Sequence, residues 1–150
     1  MKKLVLLLVG LASCALAVSG LSGAATRMAP AGWKASLTAS QEIPKQVVKM
    51  AAAHGSFSAT VSGTTLKWKL TYAGLSGPAT AAHIHMGAKG KAGNVVVPLC
   101  GAKPACKSGM TGTAKLTTQL KSWFAKHLLY VNVHTAKNPN GEIRGQVVAG

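Results

Sequence analysis

Five histidines occur in the 150-residue chain, and two of them stand two apart in "TAAHIHM", Thr80 to Met86. A third, His134, closes the stretch "LLYVNVH", Leu128 to His134. Three imidazoles from two neighbouring segments can hold a borderline metal such as copper or zinc and leave a fourth position open. The only carboxylates are Glu42 and Glu142, and Arg144 follows two residues after the second. Glu142 is a candidate hydrogen-bond acceptor for one imidazole, or an ion-pair partner for Arg144. Asn132, Glu142, Arg144, Gln146 and Glu42 also suit a purely structural hydrogen-bonded network with the histidines. The residue types lean first to that network, next to a metal, and least to metal-free catalysis. His54 and His127 fit neither pattern and read as surface or helix-end residues.

These residues need a frame, and the period of the apolar residues says β. "TLKWKLTY" (Thr65 to Tyr72) alternates Leu66, Trp68, Leu70 and Tyr72 with Lys67, Lys69 and Thr71, the pattern of a half-buried strand. "GSFSATV" (Gly55 to Val61) alternates in the same way, and the "SGTT" between them predicts a hairpin. Further strands are expected over Trp33–Ala39, Thr80–Met86, Asn94–Leu99, Thr111–Leu116, Leu128–His134 and Glu142–Val148. Only Thr117–His127 reads as helical. Seven or eight short strands with Gly, Pro and Asn between them predict an all-β, Greek-key, immunoglobulin-like sandwich or barrel with one short helix.

Strand parity places the candidate residues. Ile84 takes the core side of its strand, so His83 and His85 take the other. Leu129, Val131 and Val133 point inward, which turns Tyr130, Asn132 and His134 outward. Ile143, Gly145 and Val147 share one parity and Glu142, Arg144 and Gln146 the other. If these three strands are neighbours, the second sets form one polar patch on the outside of the sheet.

Charge and targeting bound the function class. Seventeen Lys and Arg oppose two acids, a formal charge of +15. A basic n-region (Lys2, Lys3) precedes the apolar "LVLLLVGLA" and then small residues, which reads as a signal peptide over residues 1–25. The apolar run Leu4–Val18 is short for a membrane span, so the mature form, residues 26–150, is expected to be a single domain with no transmembrane anchor, in the periplasm or outside the cell. "LASC" ending at Cys14 offers lipid anchoring as a lesser alternative. Removal of Lys2 and Lys3 leaves +13, which favours anionic lipid headgroups, acidic envelope polymers or another exported protein as partners. Scattered lysines without an aromatic RNA-binding motif or a recognition helix argue against nucleic acid. In an exported chain the remaining pair, Cys100 and Cys106, reads as a disulfide. Scarce carboxylates also predict weak sensitivity of folding to acid.

"SLTASQEIPK" (Ser36 to Lys45), "AAHIHMGAKGKAGNVVVPLC" (Ala81 to Cys100) and "LYVNVHTAKNPNGEIRGQV" (Leu129 to Val147) resemble the CHRD domain, a module also found as a stand-alone exported domain in bacteria. The resemblance covers roughly Lys34 to Val148. Lys45 stands where the family's opening motif usually has a second proline. The resemblance implies an immunoglobulin-like β-barrel or sandwich and no defined activity, and so a non-enzymatic binding or structural module. A weaker similarity links His83, His85 and His134 to copper-ligand positions of Cu/Zn superoxide dismutases, which are also Greek-key barrels. It implies a copper-binding protein with a storage, delivery or weak redox role, and, if an enzyme, a dismutase-like copper activity. The bridging histidine and the zinc ligands of those enzymes have no counterpart here.

Overall fold

The computed structural model describes residues 32–150; the expected signal peptide and Cys14 lie outside them. Nine strands form one antiparallel, nearly closed sheet. In chain order they are β1 (Gly32–Thr38), β2 (His54–Ser62), β3 (Thr65–Ala73), β4 (Ala79–Met86), β5 (Val95–Cys100), β6 (Met110–Lys115), β7 (Leu129–Thr135), β8 (Ile143–Gln146) and the two-residue β9 (Val148–Ala149). Their order across the sheet is β5-β4-β7-β8-β1-β2-β3-β6, with β9 paired to β1. The all-β class, the barrel-like closure and, among the described residues, the one short α-helix agree with the sequence reading.

Alternation explains why the sheet closes. One residue in two along each strand is apolar, so one face must be removed from water. Trp33, Ala35 and Leu37 of β1, Phe57 and Ala59 of β2, and Leu66, Trp68 and Leu70 of β3 supply half of the core. Ile84, Val97, Leu129, Val131, Val133 and Ile143 supply the facing half. The helix α1 (Thr118–Ala125) buries Leu120 and Phe124, and the Phe124 ring lies 5.0 Å from that of Trp33. Thr117 caps it by accepting a hydrogen bond from Leu120 N–H at 3.1 Å. His54 and His127 are exposed, the latter just past the helix. Cys100 and Cys106 form the expected disulfide.

The strand neighbours matter most for the polar residues. β7 sits between β4 and β8, and the register aligns His83 with Asn132 and Arg144, and His85 with Tyr130 and Gln146. The three polar sets therefore share one patch. They are not on the protein's surface, however. Every residue of β7 is buried, on both faces. Two non-repetitive segments lie over the second face: residues 39–53, with the short 3-10 turn Ala39–Gln41, and residues 87–94. Parity gave the side of the sheet correctly, but the outward sets are covered by loops rather than by water.

Candidate metal centre

The covering loops determine what each polar side chain can do. His85 Nδ1 lies 3.0 Å from the Gly93 carbonyl oxygen, and His134 Nδ1 lies 3.0 Å from that of Pro139. A carbonyl only accepts, so each Nδ1 carries the proton and each Nε2 keeps a bare lone pair. His85 Nε2 is buried and has no hydrogen-bond partner among the described residues. His134 Nε2 meets His83 Nδ1 at 3.2 Å. Since His134 is fixed as an acceptor there, His83 must donate. The ligand atoms of His83, His85 and His134 all lie within 4.8 Å of one another. Three nitrogens about 2 Å from one ion stand roughly 3.5 Å apart, so the side chains need to close by about 1 Å to share a cation.

All three imidazoles are held neutral. Burial pushes the pKa of His134 down to about 4, against the Pro139 carbonyl, which favours the proton; the two neighbouring imidazoles add to the depression. Burial followed by the repulsion of His85 lowers His83. Burial and, more weakly, Arg144 lower His85. Neutral imidazole is the metal-binding form. His83 is half-buried, so the cluster opens to solvent on that side.

Tyr130 separates the cluster from the nearest buried cation. Its ring stacks on His85 with centroids 4.8 Å apart and planes within 9°. Arg144 reaches the same ring from β8, with Cζ 3.5 Å from the centroid. Arg144 donates to the Lys91 carbonyl at 2.7 Å and the Ala88 carbonyl at 3.3 Å, tying the 87–94 loop down. Gln146 secures the loop's first residue through the Gly87 carbonyl at 3.0 Å. Gly93 has to be glycine, because a Cβ there would sit 1.6 Å from the Met86 carbonyl oxygen. That close approach brings its carbonyl to His85.

The two carboxylates have separate tasks. Glu42 is fully buried and accepts from Asn132 Nδ2 at 3.2 Å. Burial raises its pKa to about 7, although the Arg144 charge and the Asn132 bond pull it down. Gly141, at φ +130°, packs under this pair: a Cβ would lie 2.5 Å from Asn132 Nδ2 and 2.6 Å from Glu42 Oε2. Glu142 is the correction to the sequence reading. It neither orients an imidazole nor pairs with Arg144. Its oxygens accept from the Ser76 N–H and hydroxyl and from the Thr135 hydroxyl. Burial raises its pKa, but these hydrogen bonds outweigh it and leave the carboxyl below its ordinary value.

Asn138 was not singled out by the sequence. It is 2 % exposed and clasps Val48 through both its amide oxygen and its nitrogen, at 2.8 and 2.9 Å. In "NPNG" it looks like any turn asparagine, and nothing local marks it. Tyr130 had its side of the strand assigned but no role. The carbonyls of Gly93 and Pro139 carry no side-chain signal at all.

A nearly closed antiparallel barrel with a loop-covered polar layer and a three-histidine cluster defines a small all-β domain. More specifically, the CHRD domain family model matches residues 33–147, and the chain belongs to that family. Neither the curated proteins nor the solved structures contain a match.

Proposed function

We propose that the domain is an exported, non-enzymatic binding module whose specific chemistry is a copper ion held by His83, His85 and His134. The observation that carries this reading is the convergence of three neutral imidazoles, two of them locked by backbone carbonyls so that Nε2 is unprotonated. Carbonyl-fixed tautomers are what metal-binding histidines ordinarily have. Imidazole suits both copper and zinc, and the affinity order puts Cu(II) above zinc. No carboxylate or thiolate joins the cluster among the described residues. A storage or delivery role fits such a site; so does weak redox chemistry. A CHRD domain, a signal-like N-terminus and the Cys100–Cys106 disulfide support export. On this reading residues 1–25 are removed and residues 26–150 act as one domain.

The test is equilibrium dialysis of residues 26–150 against copper. The wild type binds one equivalent, and His83→Ala/His85→Ala binds none at that site. Equal binding by the two proteins contradicts the proposal. If neither binds while the variant loses several kcal/mol of stability, the cluster is structural.

A second reading concerns partners, and a separate observation supports it. Both carboxylates are fully buried, while all 13 described lysines are exposed. The cationic shell is therefore uninterrupted among the described side chains and suits anionic envelope polymers or lipid headgroups. No helix among the described residues is long and apolar enough to cross a membrane.

A further inference from the structure

The exposed lysines are not evenly placed with respect to the strands. On β1, β2, β3 and β6 the residues facing away from the core line up across the sheet. The register gives the row Lys34–Ser58–Lys69–Thr111 and, beside it, Gly32–Thr60–Lys67–Thr113. Thr65 and Lys115 pair at one end, and Ser36, Ser56 and Thr71 align at the other. Strands are about 4.8 Å apart and like-facing residues about 7 Å apart along a strand. The result is a grid of ammonium and hydroxyl groups at roughly the spacing of repeating units in a polymer. A shallow groove of about 420 Å³ runs over it, with Ser58, Thr60, Lys67, Lys69, Thr111 and Thr113 along its sides and Ala59, Trp68 and Gly112 lining it between them.

The chemistry of this face is selective. None of these outward positions carries an apolar side chain, whereas the fully buried centre of a protein–protein interface is apolar and rich in aromatics. Trp68 lines the groove but is only 6 % exposed, so no ring face is open for the base stacking that largely holds single-stranded nucleic acid. Charged ester oxygens complement the lysines, and sugar hydroxyls complement Ser and Thr. Both acidic side chains, Glu42 and Glu142, are buried elsewhere, so neither competes for the lysines.

We infer that the outer face of β1-β2-β3-β6 docks an acidic polysaccharide, a glycan carrying sulfate or phosphate esters, along the groove flanked by Lys67 and Lys69. This rests on the reading that the basic surface binds anionic polymers, and it locates that binding. The face belongs to strands other than β4, β7 and β8, so the glycan and the copper are taken up independently.

The experiment uses residues 26–150 and four soluble probes: dextran sulfate, neutral dextran, polyphosphate and oligo(dT). At low salt the wild type binds dextran sulfate, and affinity falls steeply as salt rises; neutral dextran does not bind. Lys67→Glu/Lys69→Glu loses at least tenfold in affinity. Lys121→Glu/Lys126→Glu, with the same charge change on the helix, loses less than threefold. Lys67→Gln/Lys69→Gln repeats the loss without adding negative charge, and an unchanged melting temperature shows that the fold persists. Equal losses at the two positions overturn the location while leaving the basic-surface reading intact. Polyphosphate or oligo(dT) binding as tightly as dextran sulfate overturns the choice of a glycan. No binding of any polyanion at low salt overturns both this inference and the basic-surface reading.

Discussion

Two faces of the same barrel start from the same alternation and end in opposite environments. On β2, β3 and β6 the polar residues of each strand face water, and Lys67 and Lys69 are exposed. On β4, β7 and β8 the polar residues of the same parity class are roofed by residues 39–53 and 87–94, and Asn132 and Arg144 are each 2 % exposed. The difference lies in what packs above the strand rather than in the strand. A polar group in water is satisfied wherever it points, whereas a buried one must find partners. The covered face accordingly spends its side chains on carbonyls, carboxylates and rings. The open face leaves its lysines in water.

The contrast is sharpest in stability. Glu142→Ala leaves Ser76 and Thr135 without their acceptor inside the protein, and urea unfolding is expected to show a loss of 3 kcal/mol or more. Lys69→Ala on the open face should stay within about 0.5 kcal/mol. Equal losses would erase the distinction between the faces.

Titration comes next in size, and here the covered face carries two opposed groups. Glu42 has a folded pKa of about 7 against an ordinary value of 4.5. The folded state thus holds its proton more tightly, so stability is highest below pH 4.5 and is lost as pH rises to 7. The shift corresponds to about 3 kcal/mol. His134 has a folded pKa of about 4 against 6.5. Its contribution is complete above pH 6.5 and is lost as pH falls towards 4, again by about 3 kcal/mol. Between about pH 4.5 and 6.5 the two slopes oppose each other, but the lowered His83 and His85 add to the side of His134, so wild-type stability should fall gently as the pH drops. Glu42→Gln removes one slope, so its stability should fall steadily from pH 6.5 to 4 and no longer decline towards pH 7. Chemical denaturation across that range checks the sign. The acid tolerance expected from scarce carboxylates thus depends on a balance with the histidines.

The disulfide lies outside both faces and contributes less. Cys100→Ser/Cys106→Ser opens a short loop and should lower stability by about 2 kcal/mol, without changing copper uptake if the histidine cluster is independent of it. Smallest of all, Tyr130→Phe keeps the ring stacked on His85 and removes only the hydroxyl bonds to Gly93, at 3.1 and 3.3 Å. A loss of about 1 kcal/mol is expected, visible as a small shift in the urea midpoint.

How far the sequence could be read follows the same division. Leu66, Trp68 and Leu70 alternate with lysines, and β3 was legible almost to its ends. Ile84 flanked by His83 and His85 fixed which side the histidines take. The meeting of β4 with β7 and β8 depends on β4 pairing with β7, some 50 residues further along the chain, which periodicity does not encode. The roof was invisible for a different reason: residues 39–53 and 87–94 have no repeating apolar pattern, and their hold on the sheet comes largely from backbone carbonyls. The sequence therefore assigns Arg144 and Glu42 to a polar network without the loop carbonyls and the burial that hold them there. β8 also proved shorter than the expected Glu142–Val148, with Val148–Ala149 pairing separately with β1.

The central claim is that three imidazoles share one ion, and copper X-ray absorption counts them directly. Residues 26–150 loaded with half an equivalent of copper are expected to show three nitrogen neighbours near 2 Å with the multiple scattering of imidazole rings, reduced to two rings in His83→Ala. A first shell of oxygen neighbours, or an imidazole count unchanged by that substitution, would contradict the account.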